Sequence, residues 1–133
     1  MRDMDVEKWV KDAIEIRKAA YVPYSHFEVG ACLVTKSGKE YLGCNIENAS
    51  YGLSNCAERT AIFKAVSEGE REFQYMVIAG DTDEPIVPCG ACRQVMSEFC
   101  GKDMPVLLVN TKGDRRLTTV GELLPGAFSK DDM

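Results

Sequence analysis

Histidine is almost absent. His26 is the only one in 133 residues. Any site built on two or more imidazoles is therefore excluded, including two-His zinc fingers and HExxH metalloproteases. A Cys–His nucleophile pair could use only His26. A basic excess is missing as well. Lys plus Arg is 16 against 21 Asp plus Glu, a formal net charge of −5. That balance argues against a nucleic-acid partner and against an anionic membrane surface, both of which want a basic face. No apolar run approaches the roughly 18 residues of a membrane span. There is no internal repeat, low-complexity tract or linker. What is left is a chain of one-domain length, read as a single domain over residues 1–133, with 45% hydrophobic residues to build its core.

Cysteine, by contrast, is present six times. An even count invites a disulfide framework. Three observations weigh against it. The start, MRDMDVEKWV, is charged and carries no apolar signal core. The chain is long enough to be stabilised by its core alone. Cysteine also falls below the density of small secreted scaffolds. The expectation is a reduced, cytoplasmic protein, in which clustered cysteines point to metal or redox chemistry.

Apolar spacing over 5–20, with Trp9 as a core anchor, predicts an amphipathic helix ending before Pro23. FEVGACLVT from Phe27, a KSGK turn and a second run from Glu40 to Asn45 predict a hairpin over 27–46. The polar loop NIENASYGLSN follows, of a length that is often functional. Cys56 to Ser67 reads as a helix with Ser54 or Asn55 as candidate caps and Gly69 just beyond its end. YMVIA, from Tyr75, reads as a strand covered on both faces. A helix from Pro88 or Cys89 to about Phe99, a strand over Val106 to Val109 and a strand over Arg115 to Thr118 complete the order. Thr119 with Glu122 predicts a capped short helix ended by Pro125-Gly126. The fold class is α/β: a three-layer α-β-α domain on a mixed, roughly five-stranded sheet.

The six cysteines fall into two sets. Cys32 and Cys44 sit inside strand patterns and Cys100 at a helix end, where cysteine is usually a small buried hydrophobe. Cys56, Cys89 and Cys92 each fall in the first turn of a predicted helix, where free N–H groups and the helix dipole favour the thiolate. Three readings fit Cys89-x-x-Cys92. One is a redox pair, which leaves Cys56 without a task. Another is a structural zinc site, which needs a fourth ligand from His26, Cys32 or Cys44. The third is a catalytic zinc held by three thiolates with one open position. Glu58 favours the third, since a carboxylate beside activated water can take its proton and then deliver it.

CAE at 56–58 and PCGAC at 88–92, together with CNIENASYG, NCAERTA, PCGACRQ and LLPGAF, resemble the small homotetrameric cytidine deaminases within the zinc nucleoside and nucleobase deaminases. The resemblance runs from about residue 5 to Phe128. It implies one zinc ion per subunit held by Cys56, Cys89 and Cys92, with Glu58 as proton shuttle. It implies hydrolytic deamination of cytidine and deoxycytidine at C4, in pyrimidine salvage; a cytosine-containing antibiotic or other pyrimidine analogue is the alternative substrate. Asn45 and Glu47 would bond the ribose hydroxyls, Phe27 would pack on the pyrimidine, and the N–H of Ala57 would read the base carbonyl. Arg59, with Gln94 nearby, would donate to ligand sulfurs. Phe128 and the loop around Tyr51 would reach a neighbouring subunit's site in a homotetramer. At the hairpin exit, alternation should turn Asn45 and Glu47 to one side and Ile46 to the core. His26 is expected in an exposed loop with no role.

Overall fold

A computed structural model describes residues 3–128; residues 1–2 and the polar end 129–133 lie outside it. The first helix, α1, spans Asp3–Ile16 and tightens into a 3-10 turn at Arg17–Ala19. The predicted helix to residue 20 therefore stops early. Arg17 turns its Nε onto the carbonyl of Glu28 at 3.1 Å, fixing the chain's exit toward Pro23. Strand β1 (Val29–Thr35) and strand β2 (Glu40–Cys44) form the expected hairpin, closed by Gly38 at φ 95°. Helix α2 (Ala57–Ser67), strand β3 (Phe73–Gly80), helix α3 (Gly90–Phe99), strand β4 (Pro105–Asn110), strand β5 (Arg115–Thr119) and the short helix α4 (Val120–Leu123) follow. Thr119 caps α4 as predicted, its hydroxyl accepting the N–H of Glu122 at 3.2 Å.

The sheet order is β2-β1-β3-β4-β5. Among the described strands of the sheet, β3 and β4 are the parallel pair, joined by the crossover through α3. Alternation along the central strands sorts the core into two layers. Ala31, Leu33, Met76, Ile78, Val106 and Leu108 face the side of α2 and α3. Cys32, Val34, Tyr75, Val77, Leu107 and Val109 face α1, where Trp9 packs against Tyr75 with ring centroids 5.2 Å apart. Both sides of β3 are thus covered, which is why YMVIA reads as a continuous apolar run.

Gly43 sets how closely α2 approaches the sheet. A Cβ there would fall on the carbonyl of Ala57 and the backbone nitrogen of Ala61. Backbone cannot rotate aside as a side chain can. Gly43→Ala is therefore expected to destabilise the fold by about 1–3 kcal/mol in denaturant titration, and a loss below ~0.5 kcal/mol would show that α2 can move out freely.

Candidate active site at two helix starts

The helices α2 and α3 begin side by side at one end of the sheet. Cys56 is the N-cap of α2 and Cys89 the N-cap of α3, both extended (ψ 157° and 166°) just before the chain turns helical. Neither uses its thiol as a cap. Instead the sulfurs meet: Cys56 Sγ lies 3.5 Å from Cys89 Sγ, and Cys89 Sγ 3.3 Å from Cys92 Sγ. All three lie within 4.8 Å of one another. Neither Ser54 nor Asn55, the expected caps, caps α2. Ser54 Oγ accepts the N–H of Asn48, and Asn55 Nδ2 donates to Thr60 Oγ1. These side chains tie the loop instead, and the residue that must be extended at the helix start is the cysteine itself. Cys32, Cys44 and Cys100 are buried elsewhere, and all six cysteines are free.

Charge is organised around the trio. The Cys92 thiol donates toward Cys56, and Arg59 Nη2 donates to Cys56 Sγ at 3.3 Å. Together they pull the Cys56 thiol down to about 5. The same shared proton, with burial, pushes Cys92 up. A bound cation would take the place of these protons. Arg59 Nε is buried with no partner among the described residues, a cation turned toward a cluster built to carry negative charge.

Glu58, 4% exposed in the first turn of α2, is the one buried charged side chain among the described residues. Burial pushes its carboxyl up to about 7, against the pull of its own backbone N–H and the Cys92 thiol. It lines a cavity of about 310 Å³ with Cys56, Ala57 and Cys89 at the floor. Phe27, Val29, Ile86 and Val87 make the apolar wall, and Ser25, Asn45 and Glu47 the polar one. A larger, more open depression near Lys36, Arg71 and Lys102 at the other end of the sheet contains none of these groups.

The structure gathers most of the expected site residues, with some rearranged. Asn45 lines the cavity, but its amide also braces the wall: Nδ2 donates to the carbonyl of Phe27 at 2.7 Å, and Oδ1 accepts the N–H of Val29 at 2.9 Å. Glu47 Oε1 accepts the N–H groups of Tyr24 and Ser25, each at 3.1 Å. Bonds from Ser25 and from the Tyr24 backbone hold its carboxyl below the usual range. Ile46 does not enter the core; it is 44% exposed. Its backbone pairs in both directions with Asn55, at 2.9 and 2.8 Å, so the hairpin exit is stitched to the residue before Cys56. Tyr51 stands at the rim, 89% exposed, on a 3-10 turn at Tyr51–Leu53. Gln94 donates to the carbonyl of Phe128 at 3.0 Å; among the described contacts it has none to a sulfur. The Phe128 ring is 61% exposed. His26 sits exposed at φ 58°. Ile86 and Val87 were not singled out from the sequence, although two apolar residues in the polar loop DTDEPIVPCG are a signal that could have done so.

The chain matches the family model described as the cytidine and deoxycytidylate deaminase zinc-binding region over residues 4–108. It belongs to this family. A cytidine deaminase of Sporosarcina psychrophila is 58% identical over 130 residues, 98% of this chain and 96% of that one. Another, of Halalkalibacterium halodurans, is 57% identical with 98% of each chain covered. The solved cytidine deaminase of Burkholderia pseudomallei superposes with a TM-score of 0.91 at 52% identity, over 96% of this chain and all of that one. The five-stranded mixed sheet with helices on both faces is thus the deaminase fold. Zinc, the metal of this family, fits the donor set found here. Zinc–thiolate bonds of about 2.3 Å in a tetrahedron space sulfurs by about 3.8 Å, and the trio is already gathered to nearly that span. Three cysteines leave one position of four open, the pattern of a catalytic centre. Among the described residues, no helix is long and apolar enough to cross a membrane.

Proposed function

We propose that this protein is a zinc-dependent cytidine deaminase that converts cytidine and deoxycytidine, with water, to uridine and deoxyuridine plus ammonia. The observation that carries the reading is a buried carboxyl, Glu58, lining one cavity with Cys56 and Cys89, whose sulfurs converge with that of the buried Cys92. Cys56, Cys89 and Cys92 would hold the metal. When bound, zinc supplies the Lewis acidity that makes water a nucleophile near neutral pH. Glu58 takes the water's proton and gives it to N3 of the ring as C4 is attacked. It then takes the remaining proton from the new C4 hydroxyl and delivers it to the C4 amine, which leaves as ammonia as the C4–N bond breaks and the C4 carbonyl forms. Arg59 and the starts of α2 and α3 offset the negative charge of three thiolates. Phe27 and the apolar wall exclude water from the base, and the N–H of Ala57 faces its carbonyl.

The polar wall supports a free nucleoside over a nucleotide. Asn45 and Glu47 offer paired donors and acceptors to vicinal hydroxyls, and the Glu47 carboxylate repels a 5′-phosphate. The cavity volume is at the small end of ligand sites, as a nucleoside needs. A homotetramer with shared sites, in the cytoplasm, completes the proposal. Exposed aromatics at Tyr51 and Phe128 support shared sites, because neither has a core of its own to enter. Six free thiols support a reducing compartment.

The test is direct. Zinc-replete protein is given cytidine, deoxycytidine, deoxycytidylate and cytosine, and ultraviolet absorbance and ammonia are followed. Turnover of the two nucleosides is expected, with deoxycytidylate far slower. No turnover of either nucleoside would remove the reading.

A further inference from the structure

Arg93 follows Cys92 directly, yet it points away from the sulfurs. Its Nε donates to the carbonyl of Pro88 at 2.9 Å, and its Nη1 to the carbonyl of Leu123 at 2.9 Å. The first bond folds the guanidinium back over the turn that enters α3. Pro88 is the residue before Cys89, so this bond fixes the peptide from which the Cys89 side chain departs. The second bond satisfies a carbonyl at the C-terminal end of α4, one of the groups a helix end leaves without a partner. One residue on, Gln94 holds the carbonyl of Phe128. Two neighbours on α3 therefore fasten both ends of segment 123–128 against the loop that carries Cys89.

We propose that Arg93 is a positioning residue that locks the Cys89 turn by clamping the Pro88 and Leu123 carbonyls together. The proposal rests on the zinc reading of the cysteine trio. It differs from the part given to Arg59, which acts by charge on the sulfurs. Arg93 acts by shape: a planar fork spans two carbonyls at fixed spacing, which a lysine's single ammonium does not reproduce. Cys89 is the most exposed of the three cysteines. It has the least packing to hold it, so its turn depends most on such a clamp.

The readout is zinc release to a chromophoric chelator, with unfolding temperature measured on the same samples. Both Arg93→Gln and Arg93→Lys are expected to release zinc about 10- to 100-fold faster than wild type, the scale seen when a ligand loses its outer support. Val77→Ala, in the core layer beneath α1 on the other side of the sheet, is the control for general destabilisation. It should lower the unfolding temperature without matching that acceleration. Either Arg93 variant at the wild-type release rate overturns the clamp, and Arg93→Lys alone at that rate shows that charge, not the fork, is what matters. Val77→Ala accelerating equally also overturns it, as does a wild-type protein that holds no zinc. Cytidine turnover by the wild type is scored separately. A zinc-loaded protein that fails to deaminate removes the proposed activity and leaves the release comparison to decide the clamp.

Discussion

Glu58→Gln is expected to lower kcat by at least about 10³-fold while the protein keeps its zinc. Positioned acid–base groups are worth roughly 10²–10⁴-fold, and Glu58 is asked to move a proton in more than one step. The amide matches the carboxyl in size and can still fill the cavity floor. It cannot accept a proton from water and hand it on. Fold damage is separated by a second measurement. Glu58 is almost fully buried, and burial works against its charged form. Removing that charge should leave the unfolding temperature of the variant at or above wild type. Turnover within tenfold of wild type by a zinc-loaded Glu58→Gln would take the proton shuttle away from this residue.

What could be read from the chain, and what could not, divides along physical lines. The cysteine trio and Glu58 were legible because their residues lie at helix starts in short local patterns, CAE and PCGAC, of the kind that suits a metal. The central strands were legible because burial on both faces leaves an unbroken apolar run. Ile46 was misread for a definable reason. Alternation sorts inside from outside only while a strand remains in its ladder, and β2 ends at Cys44. Beyond that point the backbone of Ile46 pairs with Asn55 and its side chain turns outward. Asn45 and Glu47 were expected at the cavity, where they lie, but their bracing of the backbone was not. Asn45 braces Phe27 and Val29, and Glu47 braces Tyr24 and Ser25, across 16 to 23 positions of sequence. Bonds of that range leave no periodic trace. The Arg93 clamp, which reaches 30 residues along the chain to Leu123, was hidden in the same way.

Cys92→Ser should reduce zinc affinity by at least about 100-fold, since losing a ligand ought to exceed the 10- to 100-fold typical of losing only its outer support. Cys92 is the fully buried member of the trio and faces Cys56 from the first turn of α3. A serine hydroxyl stays protonated there and offers zinc a far weaker donor than a thiolate. Two thiolates and a weak hydroxyl donor hold zinc poorly, so zinc measured after dialysis should fall from near one per chain to a small fraction of that. Activity should fall with it. Cys100→Ser makes the control, because it is the same exchange at a buried cysteine away from the trio. It introduces the same buried hydroxyl and the same kind of destabilisation, so it should lower the unfolding temperature while zinc stays bound. Equal zinc loss in both variants would mean that the metal is lost through loosening of the fold. Full zinc in Cys92→Ser would mean that the third ligand lies elsewhere, and with no histidine other than exposed His26 the candidates reduce to a carboxylate or another cysteine.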